Sequence, residues 1–233
     1  MNLNIDVITV CYNSSHFINH LMQSLDLKTK QDYRMVVVDN GSSAEHQDVL
    51  LNMERQRNAY VIRRSQAPVR PTYSASRHHG EALQCAIENI PEDHIGVVID
   101  CDSYMIKNHW DVDIMSLLGD YEHISCQRPG VKFGCGAWFS AFRLKTVIEN
   151  EISFLPILKP NGEDCPRPNL YDVGSDMIRI DPWKPIFRHP KIKYNGNSHV
   201  WTLDDDFFVD HMGGCRNTHE FDQWRAWLKE KWG

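Results

Sequence analysis

The chain of 233 residues has room for one large domain or two small ones and for a buried core. Its 42% hydrophobic and 24% charged residues exclude wholesale disorder and a coiled coil, and its short, charge-interrupted apolar runs exclude a bilayer span. A formal charge of −6 gives no overall field to recruit nucleic acid. Seven cysteines without a CxxC pair, and no visible signal peptide, read as reduced thiols in a cytoplasmic protein.

Ile5–Val10 reads as a buried strand. The polar turn Asn13-Ser14-Ser15 follows, and then Phe17, Leu21 and Leu25 at the spacing of one helix face. Met35–Val38 is a second apolar strand, ending in Asp39-Asn40-Gly41-Ser42-Ser43, and a polar helix to about Gln56 leads to a short strand, Ala59–Ile62. Pro68 and Pro71 mark a loop. Gly80–Asn89 reads as a helix with Leu83, Ala86 and Ile87 inward, and Ile95–Ile99 as the third strong apolar strand. Strands alternating with helices predict a parallel sheet, which binds ligands at the carboxyl ends of its strands. Asn13, Asp39, Asp100 and Asp102 fall there. The second half is less regular. It offers a strand at Ala137–Phe142, a proline-rich meander over residues 153–170, a helix starting near Asp172 and an amphipathic helix over residues 219–231, with Phe221, Trp224, Trp227 and Leu228 as core.

The chemistry gathers at Asp100-Cys101-Asp102. Two carboxylates so close repel unless a cation neutralises them, and oxygen ligands suit Mg²⁺ or Mn²⁺ shared with substrate phosphates. A solvated pair of loop carboxylates is the bland alternative. Residues 55–77 hold Arg55, Arg57, Arg63, Arg64, Arg70 and Arg77 with no acid among them. Three readings stand open: a solvated basic face, Arg77 with Arg70 steadying a pyrophosphate, or contact with a polyanionic acceptor. His211, Cys215 and His219 have a zinc-like spacing, but Gly213-Gly214 interrupts any helix that would align them. No GxSxG, Walker A or GxGxxG motif is present.

The series Ile8-Thr9-Val10-Cys11-Tyr12-Asn13-Ser14, Val36-Val37-Val38-Asp39-Asn40-Gly41-Ser42-Ser43, His79-Gly80-Glu81-Ala82-Leu83 and Ile99-Asp100-Cys101-Asp102 resembles the nucleotide-sugar half of family-2 glycosyltransferases of the GT-A fold. The resemblance covers residues 4–106 well, is looser to 142 and patchy beyond. It implies an α/β protein with a three-layer α/β/α fold and a mostly parallel central sheet. It also implies a single domain over 1–233, with residues 1–106 as the nucleotide-sugar half and 107–233 as the acceptor half and donor-closing segment. The implied activity is transfer of a sugar from a nucleotide-sugar donor, a UDP-hexose, to an acceptor hydroxyl, with inversion and a divalent cation. Small stand-alone members are common in bacteriophages, where some decorate modified DNA bases, so the acceptor stands as a saccharide or a modified nucleobase reached through the Arg55–Arg77 block.

By that resemblance, Thr9 and Tyr12 border the base and ribose, and Asp39 accepts a hydrogen bond from uracil, although Asp39 at a strand end also suits a cap. His79 and Gly80 approach the donor phosphates or sugar, Asp100 the ribose or the metal, and Asp102 the metal. Phe207–Gly214 resembles the family's late H-x-G-G segment, which makes His211 a second metal ligand; Asp210 is the alternative ligand or a support for the imidazole. Gly134-Cys135-Gly136-Ala137-Trp138 resembles the acceptor-side Gly-Ala, with Trp138 either a sugar platform or buried. The family's Glu-Asp base is not matched at its usual place. Asp172 takes the role by position, with Asp176 second and Glu163-Asp164 as a separate acidic pair. A nucleotidyltransferase, or a binding module without turnover, is the runner-up. The first would carry a Gly-rich basic loop where Cys11-Tyr12-Asn13-Ser14-Ser15 stands.

Overall fold

Alternation along the first apolar runs sends successive side chains into two different cores, and this sorting sets the layers. The computed structural model describes residues 4–57, 59–65, 75–127, 135–156, 173–189, 199–212 and 218–232. β1 (Ile5–Cys11), β2 (Tyr33–Asp39), β3 (Ala59–Arg63) and β4 (Ile95–Ile99) pair in parallel in the order β3-β2-β1-β4. Ile5, Val7, Met35, Val37, Ile95, Val97 and Ile99 pack with α1 (Ser15–Lys28), α2 (Ala44–Gln56) and α4 (Trp110–Leu117). Ile8, Val36, Val38 and Val98 face α3 (Ala75–Ile87) and α5 (Leu144–Glu149) on the other side. The sheet is therefore the middle of three layers. Each aliphatic side chain buried in this way contributes about 1.5–3 kcal/mol.

Beyond β4 the order continues β7-β6-β8-β9-β10-β5, with β5 (Ser103–Met105), β6 (His123–Gln127), β7 (Cys135–Arg143), β8 (Trp183–Arg188), β9 (His199–Leu203) and β10 (Asp206–His211). Of these only β6 and β8 run parallel. The mostly parallel sheet expected from sequence is thus confined to the first four strands. Parallel pairing needs a long crossover, and the second half instead uses tight returns such as Asp204-Asp205, both at positive φ, between β9 and β10.

The helix expected to begin at Gly80 begins at Ala75, so Arg77, His78 and His79 lie on its first turns. A helix start at Asp172, and most of the proline-rich segment before it, lie outside the described residues; the next regular turn is a 3-10 helix, Ser175–Arg179. α6 (Thr218–Trp232) buries Phe221, Trp224 and Leu228 against Phe17, Tyr104, Val200 and Met212, which accounts for its aromatic stripe as core. Among the described residues, no helix is long and apolar enough to cross a membrane, and Cys11, Cys85, Cys101 and Cys126 are free thiols.

Candidate active site at the carboxyl ends of the strands

The turns after β1 and β2 are laced together. Asn40 N–H donates to the Cys11 carbonyl at 2.8 Å, Asn13 N–H to Ser42 Oγ at 2.9 Å, and Ser43 N–H to Asn13 Oδ1 at 2.8 Å. Asn13 takes a left-handed conformation, φ 52°, which asparagine tolerates and most residues do not. Two of the sequence motifs thereby fasten each other. Between them Tyr12 stands 52% exposed, while Thr9 is fully buried and its hydroxyl has no hydrogen-bond partner among the described residues. Asp39 is buried at the end of β2, and its Oδ1 accepts the Ser42 N–H at 3.0 Å, the capping contact that an aspartate before a turn suits.

Asp100-Cys101-Asp102 forms the link from β4 to β5. Asp100 N–H donates to the Trp138 carbonyl on β7 at 3.0 Å, and Met212 N–H to the Asp102 carbonyl at 2.9 Å. β5 pairs with β10 in the register His211↔Ser103, which carries His211 beside the two carboxylates. Its Nε2 lies 3.4 Å from Asp100 Oδ2 and 3.3 Å from Asp102 Oδ1, and one ligand atom from each of the three residues fits within a 4.8 Å span. Two carboxylate oxygens and an imidazole nitrogen converging in this way fit a divalent cation, Mn²⁺ more readily than Mg²⁺ because of the nitrogen. Burial pulls the His211 pKa down, but the charge of Asp102 and hydrogen bonds to Asp100 and Asp102 outweigh it and push the pKa up to about 10. Without a metal, the imidazolium takes the cation's place between the carboxylates.

His79 on α3 reaches the same cluster, its Nε2 3.6 Å from Asp100 Oδ1. Gly80 is buried, and the close approach it permits is taken by protein backbone: a Cβ there would stand 2.6 Å from the Phe154 carbonyl oxygen. Arg77 Nε lies 3.2 Å from Glu81 Oε1, and Arg64 Nη2 3.5 Å from Glu81 Oε2. Arg64 also donates to Asn40 Oδ1 at 3.1 Å. Arg57 faces Asp26 and Arg63 faces Glu54. Four arginines of the block, Arg57, Arg63, Arg64 and Arg77, thus face carboxylates from α1, α2 and α3 although the block itself carries no acid in sequence; Arg70 lies outside the described residues. Arg64 and Glu81 each belong to a stretch singled out in the sequence, but their pairing was not foreseen, because no local motif joins β3 to α3.

Of the two candidate bases, Asp172 lies outside the described residues, as do Glu163, Asp164 and Cys215. Asp176 Oδ2 accepts the Ser153 N–H at 3.0 Å and a hydrogen bond from Arg179 at 2.9 Å, so its carboxylate is engaged in holding the 3-10 helix. Trp138 is half-buried, with its ring parallel to that of His211.

Acidic residues and an imidazole gathered where a parallel sheet opens, beside an exposed tyrosine and a buried strand-end aspartate, put the candidate site of this α/β protein at the carboxyl ends of its strands, with three side chains that could hold a metal ion. Residues 6–163 match the family described as Glycosyl transferase family 2, and the chain belongs to that family, with the GT-A fold. Among solved structures the chain is similar to S. aureus TarS 1-349 in complex with UDP-GlcNAc (16% identity, 93% of this chain and 60% of that chain, TM-score 0.57). It is also similar to S. aureus TarS (14%, 98% and 39%, TM-score 0.60) and to the mannosyltransferase PcManGT from Pyrobaculum calidifontis in complex with GDP-Man and Mn²⁺ (17%, 64% and 47%, TM-score 0.50). The likeness is one of fold, and the chain spans 60% or less of the length of these three structures. These neighbours come from cellular organisms and lend no support to a bacteriophage type. No curated protein matches the sequence.

Proposed function

We propose that the protein is a cation-dependent glycosyltransferase that moves a hexose from a UDP-sugar to an acceptor hydroxyl with inversion. The observation that carries this reading is the convergence of Asp100, Asp102 and His211 at the carboxyl ends of the strands in a member of this family. Bound there, a divalent cation supplies Lewis-acid stabilisation of the departing diphosphate. Asp102 and His211 would hold it, and Asp100 would serve either the ribose or the metal. Asp39 receives the uracil N–H, Tyr12 walls the base and ribose, and Arg77 and His79 line the diphosphate side, while the buried Thr9 and Gly80 serve through the packing beneath them.

The base that takes the acceptor proton is assigned to Asp172, because Asp176 is committed to Ser153 and Arg179. Asp172→Asn is expected to slow transfer roughly a hundredfold or more with donor binding kept, whereas Asp176→Asn costs stability. Retained transfer in both variants removes the carboxylate-base mechanism. The single-domain organisation, a cytoplasmic location, and an acceptor that is a saccharide or a modified nucleobase belong to the same proposal.

A thermal-shift screen of nucleotide sugars with Mn²⁺ or with EDTA tests the whole reading. A UDP-sugar should raise the melting temperature with Mn²⁺, lose that effect in EDTA, and release UDP on turnover. Stabilisation without any release of UDP would make the protein a binding module, and the absence of any shift would overturn the nucleotide-sugar reading.

A further inference from the structure

The indole of Trp138 lies 5.1 Å from the imidazole of His211, centroid to centroid, with 3° between the planes. On β7, the same residue accepts the Asp100 N–H through its carbonyl at 3.0 Å. It is backed in turn by Trp201 of β9, which is 3% exposed, with ring centroids 3.9 Å apart. Trp138 thus touches both halves of the acidic cluster, Asp100 by its backbone and His211 by its ring. Those halves come from strands that are not neighbours in the sheet.

We propose that Trp138 is a positioning residue for the cation site, fixing the plane of the His211 ring so that Nε2 stays aimed between Asp100 and Asp102. The inference rests on the cation reading above. The terminal torsion of a histidine is broad and has little preference of its own, so the ring plane must be set by neighbours. Aromatic stacking sets it here, and the backing by Trp201 keeps the indole from following the imidazole when that ring turns. A parallel imidazole also takes up one indole face, which makes Trp138 a wall of the site and not an open platform for a sugar ring.

Direct titration of the protein with Mn²⁺, followed by calorimetry, tests this for wild type, Trp138→Leu, Trp138→Phe, His211→Ala and the Trp138→Leu/His211→Ala pair. Support groups around metal ligands typically contribute tenfold to a hundredfold in affinity. Trp138→Leu is expected to weaken Mn²⁺ binding about tenfold, Trp138→Phe to stay close to wild type, and Trp138→Leu to add nothing once His211 is absent. An unchanged affinity in Trp138→Leu overturns the inference while leaving the cation site standing. An equal loss in the His211→Ala background also overturns it, since the indole would then act through something other than the imidazole. A wild type that takes up no Mn²⁺ overturns the cation reading and this inference together. If Trp138→Leu does not fold, Trp138→Met takes its place: it fills the space without a flat ring, so Mn²⁺ affinity should again fall about tenfold with no further loss in the His211→Ala background, and an affinity equal to wild type overturns the inference.

Discussion

Replacing His211 by alanine tests the acidic cluster independently of any ligand. The imidazole nitrogen stands 3.4 Å and 3.3 Å from two carboxylates, and all three side chains are less than a quarter exposed. At an effective dielectric constant of about 20, each unit pair at that separation is worth about 5 kcal/mol before the cost of dehydration. Dehydration takes back several kcal/mol per ion, leaving about 3–5 kcal/mol as the cost of breaking the arrangement from one side. The raised pKa leads to a similar figure. A histidine at about 10 in the folded protein and 6.5 when unfolded favours folding by about 4 kcal/mol at pH 7. For a chain of this size the metal-free variant should melt about 10 °C below wild type. The sign with pH is fixed as well. Because the folded pKa is raised, the advantage of His211 is complete below pH 6.5 and disappears as the pH climbs through 10. Thermal melts in EDTA from pH 6 to pH 10 measure both effects. A variant that melts within about 2 °C of wild type at pH 7, or a gap that widens with rising pH, would refute the ionic cluster.

Asp39→Ala should weaken UDP binding by about 1–3 kcal/mol, with fluorescence titration as the measurement, and unchanged affinity in the folded variant would take Asp39 out of the base pocket. Burial pushes the fully buried His123 down to about 4, so the unfolded chain binds the extra proton between pH 6.5 and pH 4 and stability falls with acidification through that window. Urea melts should show a loss of about 2 kcal/mol between pH 7 and pH 5 that is absent from His123→Phe, and an equally steep loss in that variant would count against the assignment. Gly80→Ala forces a Cβ against the Phe154 backbone, an overpacking cost of about 1–3 kcal/mol only partly offset by the better helix propensity of alanine. A variant more stable than wild type in urea would show that the backbone yields freely.

The first half of the fold was legible because each strand there is a short apolar run with a polar terminus, as in Ile95–Ile99 before Asp100. The second half was not. β8 contains Pro185 and has only one buried residue, and β9 and β10 show no clean alternation, so their pairing depends on partners far away in the chain. The site was legible where a motif is local: Asp39 and the Asp100/Asp102 pair announce themselves by following apolar strands. As a partner of Asp102, His211 entered through the resemblance of its segment to a known one, since its zinc-like spacing with Cys215 and His219 points elsewhere and nothing near it in sequence points to residue 102. The pairing of Arg77 with Glu81 is a local i,i+4 contact on α3, whereas the pairing of Arg64 with Glu81 and the stacking of Trp138 on His211 are purely tertiary and have no sequence signal.

The strand order carries one more implication. Residues 100–102 join β4, the fourth strand in the order, to β5, the tenth, so a three-residue bridge clasps the sheet's central region to its far edge. The described strand partner of β5 is β10, drawn from the last tenth or so of the chain. Damage late in the sequence, such as a nick or truncation that removes β10, should therefore be felt first at the aspartates a hundred residues upstream, as a slackened clasp. Because β10 also carries His211, amide hydrogen exchange over residues 100–105 in a truncation ending before Asp206, and not Mn²⁺ retention, would read that coupling directly.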